Sequence, residues 1–277
     1  MKLTLARINS GPAKTFHAFV LLLILILPAA TQAGAREITV AAAADLTFAF
    51  HDISDRFQRQ TGDTVELSFG SSGNFFSQIR NGAPYDMFFS ADVQYPRKLE
   101  AAGLTEPGTI YEYAAGRIVV WVPDASKLDL HRGLAVLADS AVHRIAIANP
   151  QHAPYGRAAV AALRHEQLYE RVRDKLVMGE DISQTAQFVQ SGNADAGIVA
   201  VSLALAPAMK AKGRFIEIPA VDYPPIIQAA VILKSSREKE LAHRFLNFLK
   251  QPDTLEVMRK YGFALPKEAA GSERGRD

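Results

Sequence analysis

The most constraining feature of this sequence is its regular alternation between short β-rich runs and stretches with helical periodicity. Residues 38–43 form an apolar run that predicts a buried strand, and apolar residues then recur at helical spacing from Leu46 to Phe57 until Gly62 ends the helix. Similar pairs of strand and helix follow along the chain, separated by Gly, Pro, Ser or Asp. This alternation predicts an α/β sandwich with a largely parallel sheet.

The predicted strands are the β-rich runs at 38–43, 65–69, 86–89, 117–122, 144–148, 176–178, 196–199, 215–218 and 226–233. The second half of the chain also predicts a polar loop at 123–132 and a helix at 182–190. Near the carboxyl terminus, Ser235 and Glu238 have the spacing of a capping box, which predicts the start of a final amphipathic helix.

The amino-terminal segment has the pattern of a secretory signal peptide. Three basic residues precede an uninterrupted apolar run at 18–27, and Pro28 and the small residues at 33–35 follow it. We therefore expect a signal peptide at 1–35, cleaved after Ala35, and export to the periplasm. A membrane anchor is the alternative, but the run is well short of the roughly 20 apolar residues that a spanning helix needs. At the other end, residues 267–277 are expected to form a disordered tail.

Charge and cysteine content exclude several classes of function. Three of the 31 Lys and Arg residues and none of the 29 Asp and Glu residues lie before residue 36, so the mature chain keeps 28 basic against 29 acidic residues. Because this balance provides no basic field, we expect no nucleic-acid partner. The 277 residues contain no cysteine, which excludes disulfides, thiolate zinc sites and cysteine nucleophiles.

Polar side chains occupy the turns that follow the first predicted strands. In an open parallel sheet these turns lie at the carboxyl ends of the strands, where helix amino termini present unpaired N–H groups to a ligand. Asp45 lies in the first turn, and Ser71 and Ser72 lie between two glycines in the second. The two hydroxyls and the backbone beside them could hold an oxyanion without a cationic side chain. Simple helix capping by these residues is the alternative interpretation.

The second half of the chain offers two similar turns. Tyr155 lies between Pro154 and Gly156 at a predicted helix start, where its phenol could reach a ligand or only cover the turn. Asp181 precedes the helix that begins at Ile182 and is most simply interpreted as its N-cap.

Motifs of catalysis and of metal binding are absent from the sequence. There is no phosphate-binding loop, no nucleophile elbow and no glycine-rich dinucleotide fingerprint, and the histidines lack the spacing of a metal site. No motif therefore supports an enzyme, a cofactor or a cation site, and we expect none of them; a noncanonical hydrolase, which needs none of these motifs, stays open as an alternative.

Several segments together resemble the ModA-type molybdate-binding periplasmic proteins, within the type II solute-binding superfamily. The matching segments are ITVAAAADLTFAF at 38–50, FGSSGNFFSQIRNGAPYDMFFSAD at 69–92, IAIANPQHAPYGRAA at 145–159, GEDISQTAQFVQSGNADAGIV at 179–199 and RKYGFALP at 259–266. They cover most of the mature chain in order, and the combination is much more specific than any one segment. The resemblance implies two α/β lobes with the ligand enclosed in the cleft between them.

The resemblance also implies how the chain divides between the lobes. Lobe 1 is expected at 36–115 and 226–266, and lobe 2 at 116–225. Two crossings, near 113–117 and near 224–227, would connect them.

Four ligand-binding residues are carried over from the family. The family's serine in the second turn matches Ser72, with Ser71 beside it, and its backbone donor after the Glu-Asp pair matches Ile182. Tyr155 resembles the tyrosine that some members use as a ligand donor. The tyrosine that other members place after the Gly-Ile-Val strand is Ala200 here, and Tyr155 could take its place from another turn.

Asp45 departs from the family pattern, because this position is often a serine whose hydroxyl binds the oxyanion. We expect its carboxylate to cap the following helix by accepting a hydrogen bond from the N–H of Thr47 or Phe48, facing away from the ligand. Asp45 still belongs to the expected site, because the neighbouring backbone amides would donate to the oxyanion.

The resemblance implies a receptor of an ABC importer that binds molybdate, and also tungstate, and works as a monomer with a membrane permease. Molybdate is a doubly charged tetrahedral oxyanion that only accepts hydrogen bonds, which suits hydroxyl and backbone N–H donors. A receptor for another anion, such as an organic acid or a phosphate ester, is the alternative if Asp45 accepts a hydrogen bond from a ligand hydroxyl. An enzyme on the same two-lobed fold is a further alternative.

Overall fold

The computed structural model describes residues 35–265. The predicted disordered tail and the predicted signal peptide, apart from its last residue, lie outside the described residues. Between residues 35 and 265, no helix is both long enough and apolar enough to cross a membrane.

The described chain contains ten strands. They are β1 (Glu37–Ala43), β2 (Thr64–Gly70), β3 (Met87–Ser90), β4 (Tyr111–Gly116), β5 (Ile118–Pro123), β6 (Ile145–Ala148), β7 (Leu176–Gly179), β8 (Ala196–Ala200), β9 (Gly213–Glu217) and β10 (Ile226–Ile232).

Helices connect most of these strands. They are α1 (Thr47–Thr61), α2 (Ser72–Arg80), α3 (Gln94–Ala101), α4 (Pro154–His165), α5 (Tyr169–Val172), α6 (Ile182–Gln190), α7 (Val201–Ala204), α8 (Pro207–Lys210), α9 (Lys239–Phe248) and α10 (Pro252–Lys260). Short 3-10 segments lie at Ala44–Leu46, Leu130–Ala138, Arg173–Lys175 and Ala220–Asp222.

The strands form two five-stranded sheets with the same arrangement. The order is β2-β1-β3-β10-β4 in the first sheet and β7-β6-β8-β5-β9 in the second. The name lobe 1 is used below for the first sheet with its helices, and lobe 2 for the second sheet with its helices. In each sheet the first three strands of this order pair in parallel, and the fourth strand pairs antiparallel with both of its neighbours. The predicted parallel pairing therefore holds for three strands of each sheet.

Strand β1 shows how the sequence pattern builds lobe 1. Val40 belongs to a buried core with Phe50 of α1 and Phe245 of α9. The next residue, Ala41, belongs to a separate core on the other face of the sheet with Phe75 of α2. Because successive strand residues point to opposite faces, a continuous apolar run indicates a strand that is covered by helices on both sides.

The chain passes between the two sheets twice. β4 ends at Gly116 in the first sheet and β5 begins at Ile118 in the second, so a single residue, Arg117, separates the two strands. The chain returns between Glu217, at the end of β9, and Ile226, at the start of β10. Both passages overlap the segments in which the crossings are expected.

The predicted capping box at the start of α9 is wrong. Glu238 occupies the N-cap position, and no side chain caps this helix. The hydroxyl of Ser236, rather than that of Ser235, organises the turn, because it donates to Asp86 Oδ1 at 2.7 Å and accepts from the N–H of Glu238 at 3.2 Å. A long-range bond to the end of another loop therefore replaces the local capping pair.

Two further elements differ from the sequence prediction. The pattern of Tyr111–Gly116 does not predict a strand, although these residues form β4 at the edge of the first sheet. The predicted loop at 123–132 overlaps the 3-10 segment Leu130–Ala138, which is interrupted by a non-helical Gly133.

Candidate functional site

A small cavity lies where carboxyl ends of strands from the two lobes meet. Its lining comes from the turn after β1, from Ala91 after β3, and from the amino termini of α2, α4 and α6. The residues predicted to bind a ligand all line it, namely Asp45, Ser71, Ser72, Tyr155 and Ile182. The cavity volume is about 10 Å³, which is room for about one water molecule.

Ser71 and Ser72 begin α2 and use their hydroxyls differently. Ser71 is the N-cap, whose Oγ accepts from the N–H of Asn74 at 3.3 Å and lies 2.9 Å from Nδ1 of His152. Ser72 Oγ accepts from the N–H of Ala91 at 2.9 Å, and within residues 35–265 no group accepts the Ser72 hydroxyl hydrogen. The capping interpretation therefore holds for Ser71, whereas Ser72 keeps a free donor beside the cavity.

Backbone N–H groups at the helix starts supply further donors. Ser72, Tyr155 and Ile182 lie in the first turns of α2, α4 and α6, where N–H groups have no acceptor within the helix. The part of the chain that the structure describes provides no other acceptor for these three groups. Asp181 is the N-cap of α6 as predicted, since its Oδ1 accepts from the N–H of Ser183 at 2.8 Å.

Asp45 does not cap the following helix, contrary to the prediction. It lies inside the 3-10 turn Ala44–Leu46, whereas an N-cap needs a non-helical backbone. Helix α1 accordingly begins at Thr47 without a side-chain cap. The carboxylate reaches lobe 2 instead, where Oδ2 accepts a hydrogen bond from the phenol of Tyr155 at 2.8 Å. Oδ1 is buried and has no hydrogen-bond partner among the described residues.

Gln228 completes this contact and is not predicted from the sequence. Its Nε2 donates to Asp45 Oδ2 at 2.6 Å and lies 2.9 Å from the hydroxyl of Tyr155. Its Oε1 accepts from the hydroxyl of Tyr113 at 2.8 Å. Gln228 is fully buried in β10, whose other residues are apolar. A single glutamine in an otherwise apolar strand is the signal that could have identified it.

Burial changes the protonation of these side chains. Desolvation raises the pKa of Asp45 from 3.8 to about 6, although the hydrogen bonds from Gln228 and Tyr155 partly oppose the rise. Burial and the nearby Asp45 charge raise the pKa of both Tyr155 and Tyr113 well above the ordinary value. The two phenols therefore stay protonated and remain donors at neutral pH.

Contacts at the rim of the cavity join the two lobes. The N–H of Gly73, in α2 of lobe 1, donates to the carbonyl of His152, in lobe 2, at 2.9 Å. Arg157 of α4 forms an ion pair with Asp92 of lobe 1 at 2.5 Å. Contacts outside the cavity lining therefore also join the two lobes.

Two glycines permit this close approach. A Cβ atom at Gly116 would lie 2.3 Å from the hydroxyl of Tyr155, and a Cβ atom at Gly73 would lie 2.6 Å from the carbonyl oxygen of His152. Both distances are far shorter than a non-bonded contact allows, so a larger residue at either position would displace the opposite lobe.

A second group of possible ligand atoms lies away from the cavity. His165, Glu166 and Asp222 place ligand-type atoms within 4.8 Å of one another. His165 Nδ1 lies 3.3 Å from Asp222 Oδ1 and 3.4 Å from Glu166 Oε1. The contacts of the His165 ring with these two carboxylates account for the grouping.

Comparison with known proteins places the chain in a family. The family model described as bacterial extracellular solute-binding protein matches residues 38–264. This chain belongs to that family.

Relatives within the family include ModA proteins, the group that the sequence segments resemble. The molybdate-binding protein ModA of Rhodobacter capsulatus is 39% identical over 250 residues, which cover 90% of this chain and 97% of the relative. The molybdate-binding protein ModA of Azotobacter vinelandii is 41% identical over 236 residues, covering 85% and 93%. The solved structure of the periplasmic molybdate-binding protein of Azotobacter vinelandii matches with a TM-score of 0.78 at 37% identity, covering 83% of this chain and 99% of that one. The predicted ModA resemblance and the two-lobed fold are thereby confirmed.

Proposed function

We propose that this chain is the solute-binding component of an ABC importer and that it binds molybdate, and also tungstate, in the cavity between the lobes. The observation that carries the proposal is the convergence of three helix amino termini and the Ser72 hydroxyl on one cavity. Helix amino termini offer unpaired N–H groups and a partial positive charge, both of which favour an anion. The relatives at 39% and 41% identity, which are named molybdate-binding proteins, support the same ligand.

The chemistry of the cavity suits a tetrahedral oxyanion. Molybdate and tungstate offer only acceptor oxygens, so a site for them needs donors and does not need a cationic side chain. Among the described residues, no Lys, Arg or His lines the cavity. The donors that we assign are the Ser72 hydroxyl and the N–H groups of Ser72, Tyr155 and Ile182. The phenol of Tyr155 already donates to Asp45, so we assign it to joining the lobes.

The size of the cavity implies movement of the lobes. A volume of about 10 Å³ holds about one water molecule, which is less than an anion with four oxygens occupies. We therefore propose that the ligand is taken up with the lobes farther apart and that they close around it. The bond between Gly73 and His152 and the ion pair between Arg157 and Asp92 are contacts that this opening would break.

The remaining roles follow from the family and belong to the same proposal. The protein would be exported by its signal peptide, act in the periplasm as a monomer, and deliver the anion to a membrane permease. It would carry no resident cofactor, catalyse no reaction and bind no nucleic acid. A receptor for an organic acid or a phosphate ester is the alternative, which the names of the close relatives do not favour.

Thermal unfolding of the mature protein with different anions tests the ligand. Molybdate or tungstate at 100 times its Kd should stabilise the fold by roughly 2.7 kcal/mol, whereas a non-ligand has no such effect. Sulfate, phosphate, a phosphate ester and small carboxylates serve as comparison anions. Stabilisation by a carboxylate or a phosphate ester, with none by molybdate or tungstate, would favour the alternative receptor.

Two serine variants test the site. Ser72→Ala removes one donor to a charged ligand, worth about 1.5 to 3 kcal/mol, so we expect a roughly tenfold to hundredfold rise in the Kd for molybdate by calorimetry. Ser77→Ala is the matched control, because Ser77 lies on the same helix, is exposed and donates to the carbonyl of Gly73 rather than lining the cavity. Equal affinities in the two variants would contradict the assignment of Ser72.

A further inference from the structure

Only one of the two carboxylate oxygens of Asp45 has hydrogen-bond partners among the described residues. Asp45 is 1% exposed and lines the cavity. Oδ2 accepts hydrogen bonds from Tyr155 and Gln228, at 2.8 and 2.6 Å, whereas Oδ1 is buried without a partner in the described chain. A buried oxygen that carries charge and lacks a donor is unfavourable, and protonation removes that charge.

The groups packed around Asp45 come from both lobes, and none of them is cationic. They are Tyr155 of α4, Tyr113 of β4, Gln228 of β10, Ser202 of α7, whose hydroxyl donates to the Asp45 carbonyl at 2.8 Å, and Asp181 of α6, which lines the same cavity. Since Asp181 uses Oδ1 to accept from two N–H groups of its own helix, it supplies no donor to Asp45. A proton is therefore the positive charge within reach of Asp45.

One imidazole lies near the cavity. His152 lies behind Ser71, 2.9 Å from its Oγ, and its Nε2 lies 3.6 Å from a carboxylate oxygen of Glu180. Neither His152 nor Glu180 lines the cavity. A variant of His152 can thus separate its contribution to any pH dependence from that of Asp45.

We propose that Asp45 binds the oxyanion as a neutral carboxylic acid, in which Oδ2 keeps its bonds to the protein and Oδ1 donates a proton to a ligand oxygen. This inference rests on the proposed function, because it concerns the same cavity. The proton comes from solvent and binds to Oδ1, and no covalent bond to the ligand forms or breaks. Binding of one oxyanion therefore takes up about one proton wherever free Asp45 is ionised.

Protonation of Asp45 makes an acidic residue compatible with a site for a dianion. An ionised Asp45 would repel molybdate, whereas the acid adds a donor that matches an acceptor-only ligand. The pKa of Asp45, raised by burial to about 6 in the absence of ligand, means that little energy is needed to protonate it near neutral pH. A dianion beside it would raise this pKa further. Asp45 then contributes to specificity, because an anion that must donate a hydrogen bond of its own finds no ionised acceptor there.

Calorimetry at several pH values tests this coupling. The Kd for molybdate and the proton uptake, obtained from buffers of different ionisation enthalpy, are measured between pH 6.5 and 8.5 for wild type, Asp45→Asn and His152→Gln. For wild type we expect uptake approaching one proton per molybdate and a Kd that rises about tenfold per pH unit above the pKa of free Asp45. Asp45→Asn, whose amide is a neutral donor, should bind with a Kd that does not follow pH. His152→Gln should keep the wild-type slope.

The outcomes separate this inference from the proposed function. Molybdate binding by wild type without proton uptake, or with the same pH slope in Asp45→Asn, would overturn the inference alone. A slope that disappears only in His152→Gln would assign the proton to the imidazole and would also overturn it. Absence of molybdate and tungstate binding by wild type at pH 6.5 would overturn the proposed function, and the inference with it. Proton uptake is measured on wild type, so a poorly folding variant leaves the test in place.

Discussion

Replacing Asp45 by Asn should change how stability depends on pH, even without a ligand. The folded protein holds a proton on Asp45 up to a pKa of about 6, whereas the unfolded chain releases it near the ordinary value of 3.8. Between these two values the folded state binds more protons, so the stability of the wild type falls as pH rises through this window. Above about pH 7.5, where folded Asp45 is almost fully ionised, the whole cost of burying the charge is present. Asn at the same position carries no charge and does not experience this loss.

The size of the effect follows from the two pKa values. The difference between 3.8 and about 6, at about 1.4 kcal/mol per pH unit, corresponds to roughly 3 kcal/mol, most of it lost between pH 4 and pH 7.5. The oxygen of the Asn side chain can take the place of Oδ2 and accept from Tyr155 and Gln228. Its NH2 group then takes the place of Oδ1, where no neighbouring N–H or O–H of the described chain points at it. The substitution therefore keeps the hydrogen bonds and removes the charge.

Urea unfolding of both proteins from pH 4 to pH 7.5, without oxyanion, measures the effect. The free energy of unfolding of Asp45→Asn minus that of wild type should increase by about 2 to 3 kcal/mol over this range, because the other carboxylates cancel in the difference. Asp55→Asn, at an exposed position of α1, is the control and should stay within about 0.5 kcal/mol of wild type. A difference for Asp45→Asn that is constant with pH would refute the raised pKa and the account of burial behind it.

Three other predictions concern the contact between the lobes. Gly73→Ala puts a methyl group 2.6 Å from the carbonyl oxygen of His152, so we expect a cost of about 1 to 3 kcal/mol for closure, seen as an increase of roughly fivefold or more in the molybdate Kd; an unchanged Kd would contradict the close approach. Arg157→Gln removes a partly exposed ion pair with Asp92, worth at most about 1 kcal/mol, so calorimetry should show no more than a roughly fivefold loss of affinity. Tyr155→Phe removes one of the two donors to Asp45, which should lower the free energy of unfolding by about 1 to 3 kcal/mol in urea; equal stability would argue against the buried bond.

Most of the fold could be predicted because the central strands of its two sheets are buried on both faces. Runs such as Ile145–Ala148 are apolar throughout and are bounded by turn residues, which is a local signal. The exception is β4, whose sequence, YEYAAG, mixes polar and small residues and has neither an apolar run nor a regular alternation. Local patterns also do not predict the order of the strands, because β10 pairs with β3 and β4, which lie more than 100 residues earlier in the sequence.

The site could be predicted in part for a similar reason. Ser72 and Ile182 begin helices after predicted strands, so the general rule for open sheets brings them to the carboxyl ends of those strands. The partners of Asp45 follow no such rule. Tyr155 lies 110 positions away from Asp45 in the sequence and Gln228 lies 183 away, and only the folded lobes bring the three together. The local sequence therefore predicted helix capping by Asp45, whereas its carboxylate forms long-range contacts that a local pattern does not encode.

The position of β10 between β3 and β4 determines which lobe is finished first. All strands of the second sheet lie within one continuous stretch, from Ile118 to Glu217, so this sheet can assemble as soon as that stretch is available. The first sheet begins earlier in the chain, but β4 has no neighbouring strand there until residues 226–232 arrive. If segments fold in the order in which they become available, from the amino terminus onward, lobe 2 is completed before lobe 1, although lobe 1 begins first. The bond between Gln228 and Asp45 would form late, when β10 joins the strands of lobe 1 that precede lobe 2.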